Sequence, residues 1–144
     1  MAAGPWVIHD AFKSRPYSAS GPLIASDAIK VALAASTSNA ATTSVNNYAS
    51  LTNELSTANG YTSGGATASS PTVSGTSTVT FDTADVTWTA SGGSITARFA
   101  VMYDNTDTNK TIIAHCLLDS TPADVTVTTG NTLTIGIANV FSLT

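Results

Sequence analysis

From Thr67 to Leu143 apolar and polar residues alternate in short runs, and this period of two constrains the chain more than any other feature. Successive side chains of an extended strand point to opposite faces, so such runs bury one face and leave the other in water. Val79 and Phe81 alternate with threonine, as do Val86 and Trp88. In the run from Ile95 to Tyr103, Phe99, Val101 and Tyr103 share one face while Arg98, Ala100 and Met102 share the other. Ile112 to Leu118 is apolar on both faces apart from His115, the pattern of a central strand. Val125 and Val127 lead to Leu133, Ile135 and Ile137, and Phe141 and Leu143 close the chain. Gly92-Gly93 reads as a tight link between strands, and Gly130-Asn131 as a two-residue hairpin turn. Many short strands with frequent turn signals predict an all-β fold, an antiparallel sandwich or a jelly-roll-like barrel.

Upstream the pattern is more varied. Ala28 to Ala35 reads as a strand, with Ile29, Val31 and Leu33 facing one way and Lys30 the other. Ser36 to Asn47 has no period and reads as loop. Tyr48, Leu51 and Leu55 are spaced for one or two helical turns. Val7, Ile8, Ala11 and Phe12 lie on one side of a helical wheel, Pro5 suits a first helical position, and Pro16 would end the helix. Helix is therefore expected mainly within 5–15 and 45–56. Residues 1–20 form an N-terminal arm or short helix, and residues 21–144 form a single β domain. The arm's aromatic residues either fold back on their own core or dock on a neighbour.

Charge narrows the function. The chain of 144 residues is 42% hydrophobic yet only 10% charged, with a net charge of -4, where about 25% charged is usual. Lys13, Arg15, Lys30, Arg98 and Lys110 are scattered, and a phosphate backbone needs clustered cations. Nucleic acid is not an expected partner. Interface cores are depleted in charge, so a domain housed in an assembly tolerates this composition. The lone Cys116 precludes an internal disulfide, which fits a reducing compartment. No signal peptide is visible at the N-terminus, and no apolar run is long enough to span a membrane.

No constellation of residues is set out for catalysis. His115 and Cys116 are adjacent, but on a strand they point to opposite faces, so the imidazole cannot activate the thiol. Asp104 to Asn109, DNTDTN, resembles the start of a calcium loop, but Asn109 stands where the turn glycine belongs and His115 where the bidentate glutamate belongs. It reads as a polar hairpin loop. Asp82 and Asp85 flank a turn and read as caps for backbone N–H groups. Asn109-Lys110-Thr111 is formally a glycosylation acceptor, of little weight without a secretory signal. No catalytic, metal or cofactor residue is assigned, and the chain is expected not to be an enzyme.

The segments GYTSGGA (60–66), FDTADVTW (81–88) and SITARFAVMYD (94–104), preceded by AIKVALAAS (28–36), together resemble a family of small tailed-bacteriophage virion proteins. The likeness covers most of residues 8 to 143. It departs after Ile112, where the family usually has a Gly-rich strand with an acidic turn and this chain has IIAHCLLDST. The resemblance implies a structural role on the outside of the capsid, as a decoration (cement) protein bound to the major capsid protein, in particles assembled in the host cytoplasm. Symmetry favours a trimer or another small homo-oligomer. The expected anchors are Trp6, Phe12 and Tyr17, with Lys13 and Arg15 at the rim. A tail, head–tail connector or fibre component is the alternative within the particle, and a carbohydrate-binding β module is the alternative outside it.

Overall fold

A computed structural model describes residues 3–14 and 24–143. The chain is all-β and antiparallel. Its first layer is a five-stranded sheet built from β1 (Val7–Ile8), β2 (Ile29–Ala34), β3 (Ala66–Thr67), β8 (Phe99–Asp104) and β9 (Ile112–Leu117), in the order β1-β9-β8-β2-β3. The hairpin of β8 and β9 occupies its centre. Both strands are apolar on both faces because both faces are covered.

The remaining strands are β4 (Thr72–Ser74), β5 (Val79–Asp82), β6 (Val86–Thr89), β7 (Ile95–Ala97), β10 (Val125–Val127), β11 (Thr132–Ile135) and β12 (Phe141–Leu143). β5 pairs with β12, β6 with β11 and β7 with β10. The registers Val79↔Leu143, Val86↔Ile135 and Ile95↔Val127 advance together within one residue. The three ladders are therefore one long ribbon, interrupted twice. It continues through Arg98 into the β8–β9 hairpin, so residues 79–143 fold as one extended hairpin whose tip is the 105–111 loop.

This topology corrects two sequence expectations. Gly92-Gly93 does not fold β6 back onto β7, and Gly130-Asn131 does not fold β10 back onto β11. They are the two sides of a single bend, where Gly130 N–H donates to Ala90 O at 2.8 Å and Ala90 N–H donates to Asn131 O at 2.9 Å. Extra residues in a ladder bend the strand and raise its twist. The bend is braced from outside by Asn59, whose Nδ2 donates to Ser94 O at 2.9 Å. A Cβ on Gly93 would meet Asn59 Oδ1 at 2.4 Å, so the brace needs glycine there.

The ribbon lies over one face of the five-stranded sheet. Its inward residues Phe81, Val86, Trp88, Ile95, Leu133 and Ile135 pack against Ile29, Val31, Leu33, Ala100, Met102 and Cys116. Burying each large aliphatic contributes roughly 1.5–3 kcal/mol. Its outward residues are threonines paired across the strands: Thr87 with Thr134 at 3.3 Å, Thr89 with Thr132 at 3.5 Å and Thr96 with Thr126 at 2.9 Å.

The other face of the sheet is closed by the long connection between β2 and β3. Ala40, Val45, Tyr48 and Leu51 cover Ala32, Ala34, Val101, Tyr103 and Ile112. The expected loop over 36–47 is therefore a third layer. The expected helix within 45–56 is one 3-10 turn, Tyr48–Ser50, in which Asn47 accepts from Ser50 N–H. The expected helix over 5–15 is likewise shorter. Val7–Ile8 pairs with β9, opposite His115 and Ala114, and only α1 (Asp10–Ser14) is helical. Sheet pairing by two residues outweighs a wheel pattern that could supply little more than one helical turn.

Candidate functional site

The described part of the arm, residues 3–14, is fastened to the β domain. Gly4 N–H donates to Leu117 O at 2.9 Å, and His9 N–H to Ile113 O at 3.0 Å. Phe12 is 5% exposed and packs 5.5 Å from the Phe141 ring, which in turn stacks on Phe81 at 5.4 Å. Phe12 is therefore spent in the chain's own core, which corrects its assignment as an anchor for a partner. Trp6 is half-buried and packs on the same core. Lys13 is exposed, with its Nζ 3.0 Å from Asp10 Oδ1. That ammonium, together with the Thr43 hydroxyl, holds the Asp10 carboxyl below the usual range. Arg15 and Tyr17 lie outside the described residues.

Trp6 stands at a cleft of about 620 Å³. Pro5 and Trp6 of the arm line it. Leu118 and Val125 also line it, together with Leu133, Ile135 and Val140 of the ribbon. Cys116 also lines it, on the face away from His115, as the strand period requires. Burial pushes the Cys116 thiol up to about 12, so it is inert as a nucleophile near neutrality.

Two polar clusters escaped the sequence reading. In the first, His9 and His115, both buried, meet with Nε2 of His9 3.0 Å from Nδ1 of His115. His9 Nδ1 donates to Val45 O at 2.8 Å. Burial lowers the pKa of both rings, that of His115 to about 4, with the His9 charge adding to the effect.

The second cluster centres on Glu54, the chain's only glutamate. Its carboxylate accepts from the hydroxyls of Tyr48 and Tyr61, from Ser63 Oγ at 2.9 Å and from Gly64 N–H at 2.6 Å. Tyr61 is 2.7 Å away and its oxygen also accepts from Leu33 N–H at 3.0 Å. Tyr103 donates to Gly64 O at 2.7 Å, and its ring stacks on Tyr48 at 4.4 Å. Burial, then the bond to Glu54, raises Tyr48 and Tyr61, and burial pushes Tyr103 up to about 12. The phenols stay neutral donors. This carboxylate fastens the GYTSGGA turn to the sheet; every acceptor site it offers is taken by the chain itself.

Asp82, Asp85, Asp104 and Asp107 serve backbone N–H groups, and Asp124 pairs with Arg98 Nε at 2.8 Å. Asp82 Oδ1 accepts from Thr83 N–H at 2.8 Å, and Asp85 Oδ1 from Ile137 N–H at 2.8 Å. Asp85 thereby ties the second interruption of the ribbon. In the 105–111 loop Asp104 Oδ1 accepts from Thr106 N–H at 2.8 Å and Asp107 N–H at 3.1 Å. Asp107 Oδ2 accepts from Thr111 Oγ1 at 2.5 Å. Among the described residues no three His, Cys, Asp or Glu side chains converge on a common point, and no helix is long and apolar enough to cross a membrane. No family model matches the chain, and neither a curated protein nor a solved structure does.

Between Lys30 and Asp82 the only charged side chain is Glu54. Glu54 is consumed internally, so the layer over 35–65 and the strands β3 and β4 expose no charge of their own; at the layer's edges Lys110 Nζ stands 5.8 Å over the Tyr48 ring, and Asp10 accepts from Thr43 Oγ1 at 3.0 Å. The outer face of the ribbon, across the sheet from that layer, is a separate face of paired threonines. Among the described residues every aromatic ring is buried or half-buried.

Proposed function

We propose that the chain is a non-enzymatic virion structural protein: a capsid decoration, or cement, protein that binds the outer capsid surface through neighbouring coat subunits. The observation that carries this reading is the stretch from Val31 to Phe81, whose one charged group is sequestered by Tyr48, Tyr61, Ser63 and Gly64, so that charge enters this side only at its edges, through Lys110 beside Tyr48 and Asp10 beside Thr43. A surface of small hydroxyl and apolar groups is cheap to desolvate and meets another protein without stranding charge. The resemblance of GYTSGGA, FDTADVTW and SITARFAVMYD to small phage virion proteins supports the same role. The cleft beside Trp6 gives the attachment surface a concave apolar element, which suits an aliphatic or aromatic side chain of a coat subunit.

The mechanism is mechanical. Contacts that bridge two coat subunits add to the work needed to separate them and so resist the pressure of packaged DNA. The test is co-sedimentation of the purified protein with capsids that lack tails. Binding to tailless capsids supports decoration. Binding only to tails or connectors moves the protein to that part of the particle, and binding to neither overturns the virion reading.

A further inference from the structure

We propose that the open edge of β4 is a self-association surface, on which a second copy of this chain pairs its own β4 antiparallel across a two-fold axis with Val73 opposite Val73. The inference rests on reading the chain as a repeated structural subunit, and it replaces the three-fold arrangement favoured from the sequence.

The backbone of β4 sets the geometry. β4 pairs with β5 in the register Thr72↔Asp82, Val73↔Phe81, Ser74↔Thr80, and among the described residues no strand lies on its other side. Phe81 O accepts from Val140 N–H at 2.8 Å, on the side of β12. In an antiparallel strand the N–H and C=O of one residue point to the same side, and neighbouring residues alternate. Phe81 therefore bonds toward β12, while Thr80 and Asp82 bond toward β4. Thr72 and Ser74 are their hydrogen-bonded mates, so the N–H and C=O of Val73 point away from β5, into the open edge.

The side chain of Val73 makes that edge selective. Directly opposed residues share a face, so Val73 lies on the inward face with Phe81 and Phe141. Phe81 is buried there, yet Val73 is 46% exposed. The apolar row Phe141–Phe81–Val73 thus runs past the end of the core. A two-fold copy would continue it with its own Val73 and Phe81 and cover both valines. On the outward face, Ser74 and Thr80 bond each other at 2.9 Å and would be met by the partner's Thr72 hydroxyl.

Charge admits the same copy. Natural edge strands are guarded by lysine, proline or inward charge against this pairing. Here no charge lies between Glu54 and Asp82, so two copies do not repel, while Pro71, which precedes β4 and has no N–H to donate, confines the pairing to Thr72–Ser74. The edge is three residues long, well short of the roughly 1,200 Å² that a stable dimer buries. The pairing is therefore weak between free molecules and is reinforced where many copies are held close together.

Sedimentation of the purified chain over rising concentration tests the pairing. Wild type should associate in the upper micromolar to millimolar range, and Val73→Lys should weaken that association at least tenfold with an unchanged circular dichroism spectrum. In a Cys116→Ala background, Val73→Cys should oxidise to a covalent dimer, since facing hydrogen-bonded residues stand about 5.5 Å apart at Cα, within disulfide reach. Thr72→Cys should cross-link far less. A chain monomeric near 1 mM, an association indifferent to Val73→Lys, or equal cross-linking at the two positions would overturn self-pairing. A monomeric wild type whose capsid binding is lost in Val73→Lys would also overturn it and assign the edge to a coat-protein segment, leaving the decoration role intact.

Discussion

His9 donates from Nδ1 to the Val45 carbonyl, so its Nε2 carries no proton in the neutral ring and accepts one from Nδ1–H of His115, 3.0 Å away. The two imidazoles share one ordered set of protons. Charging either ring adds a donor where an acceptor stood, inside a site that is 0% exposed at His9 and 6% at His115. Asp10 and Lys13 are the nearby charges, and they act on His9 in opposite senses.

The first prediction is the pH dependence of stability. Both rings have a folded pKa below the ordinary 6.5, that of His115 about 4. The unfolded chain then binds more protons in this window, so stability rises with pH. The contribution is complete above about pH 6.5, declines as pH falls, and is lost below the folded value. For His115 it is on the order of 3 kcal/mol. Urea unfolding at pH 7 and pH 4.5 should show the fall. His115→Asn, whose amide donates to His9 Nε2 without titrating, should remove the share of the slope owed to His115. Equal slopes would show that the pair is not its source.

The second prediction concerns Glu54. Glu54→Gln replaces one acceptor oxygen by a donor facing the donors already there. Stranding one or two of them costs about 2–4 kcal/mol. The loss should be local: amide exchange should quicken at Gly64 and Leu33, near the turn, before it does in β8 and β9. Uniform loss of protection would make Glu54 part of the global core.

How much of this was legible follows from the distances involved. The period of two fixes strand faces locally, and the assignment of Phe99, Val101 and Tyr103 to one face and Ala100 and Met102 to the other survives intact. Ribbon topology is not local. Gly92-Gly93 has the composition of a turn whether the chain reverses or bends, and only pairing with residues 125–135 decides between them. The His9–His115 contact joins positions 106 residues apart, and no spacing rule reaches that far. Glu54 did carry a signal: a lone charge in a neutral stretch, flanked by Tyr48 and Tyr61.

The third prediction separates glycines. Gly65 has φ +69°, and a Cβ there would sit 1.9 Å from Val31 O, a backbone atom that cannot move without breaking β2. Gly65→Ala should cost more than about 2 kcal/mol, combining a left-handed backbone with a clash. At Gly136 a Cβ would meet nothing within 4 Å, so alanine should be accepted there within about 0.5 kcal/mol. Thermal melts of the two variants make the comparison; similar losses would refute the role of Gly65 in seating the turn on β2.

The last prediction concerns attachment. Removing residues 1–20 deletes β1, the His9 bond to Val45 and the Phe12 ring, so the remainder should lose stability as well as binding. Truncation therefore cannot isolate the attachment surface, and Trp6→Ala can. Its ring is half-buried at the rim of the 620 Å³ cleft, and truncating it should lower the melting temperature only modestly. Aromatic anchors at interface centres contribute about 2 kcal/mol or more, so capsid binding should weaken at least thirtyfold. Binding should change little between low and high salt, because few charges are present to be screened. Capsids carrying the Trp6→Ala protein should rupture under heat or osmotic shock as readily as bare ones. Tight binding by the variant would place the attachment surface elsewhere, with the charge-poor layer over 35–65 next in line. Equal fragility of decorated and bare capsids would end the cement role and favour a tail or fibre position.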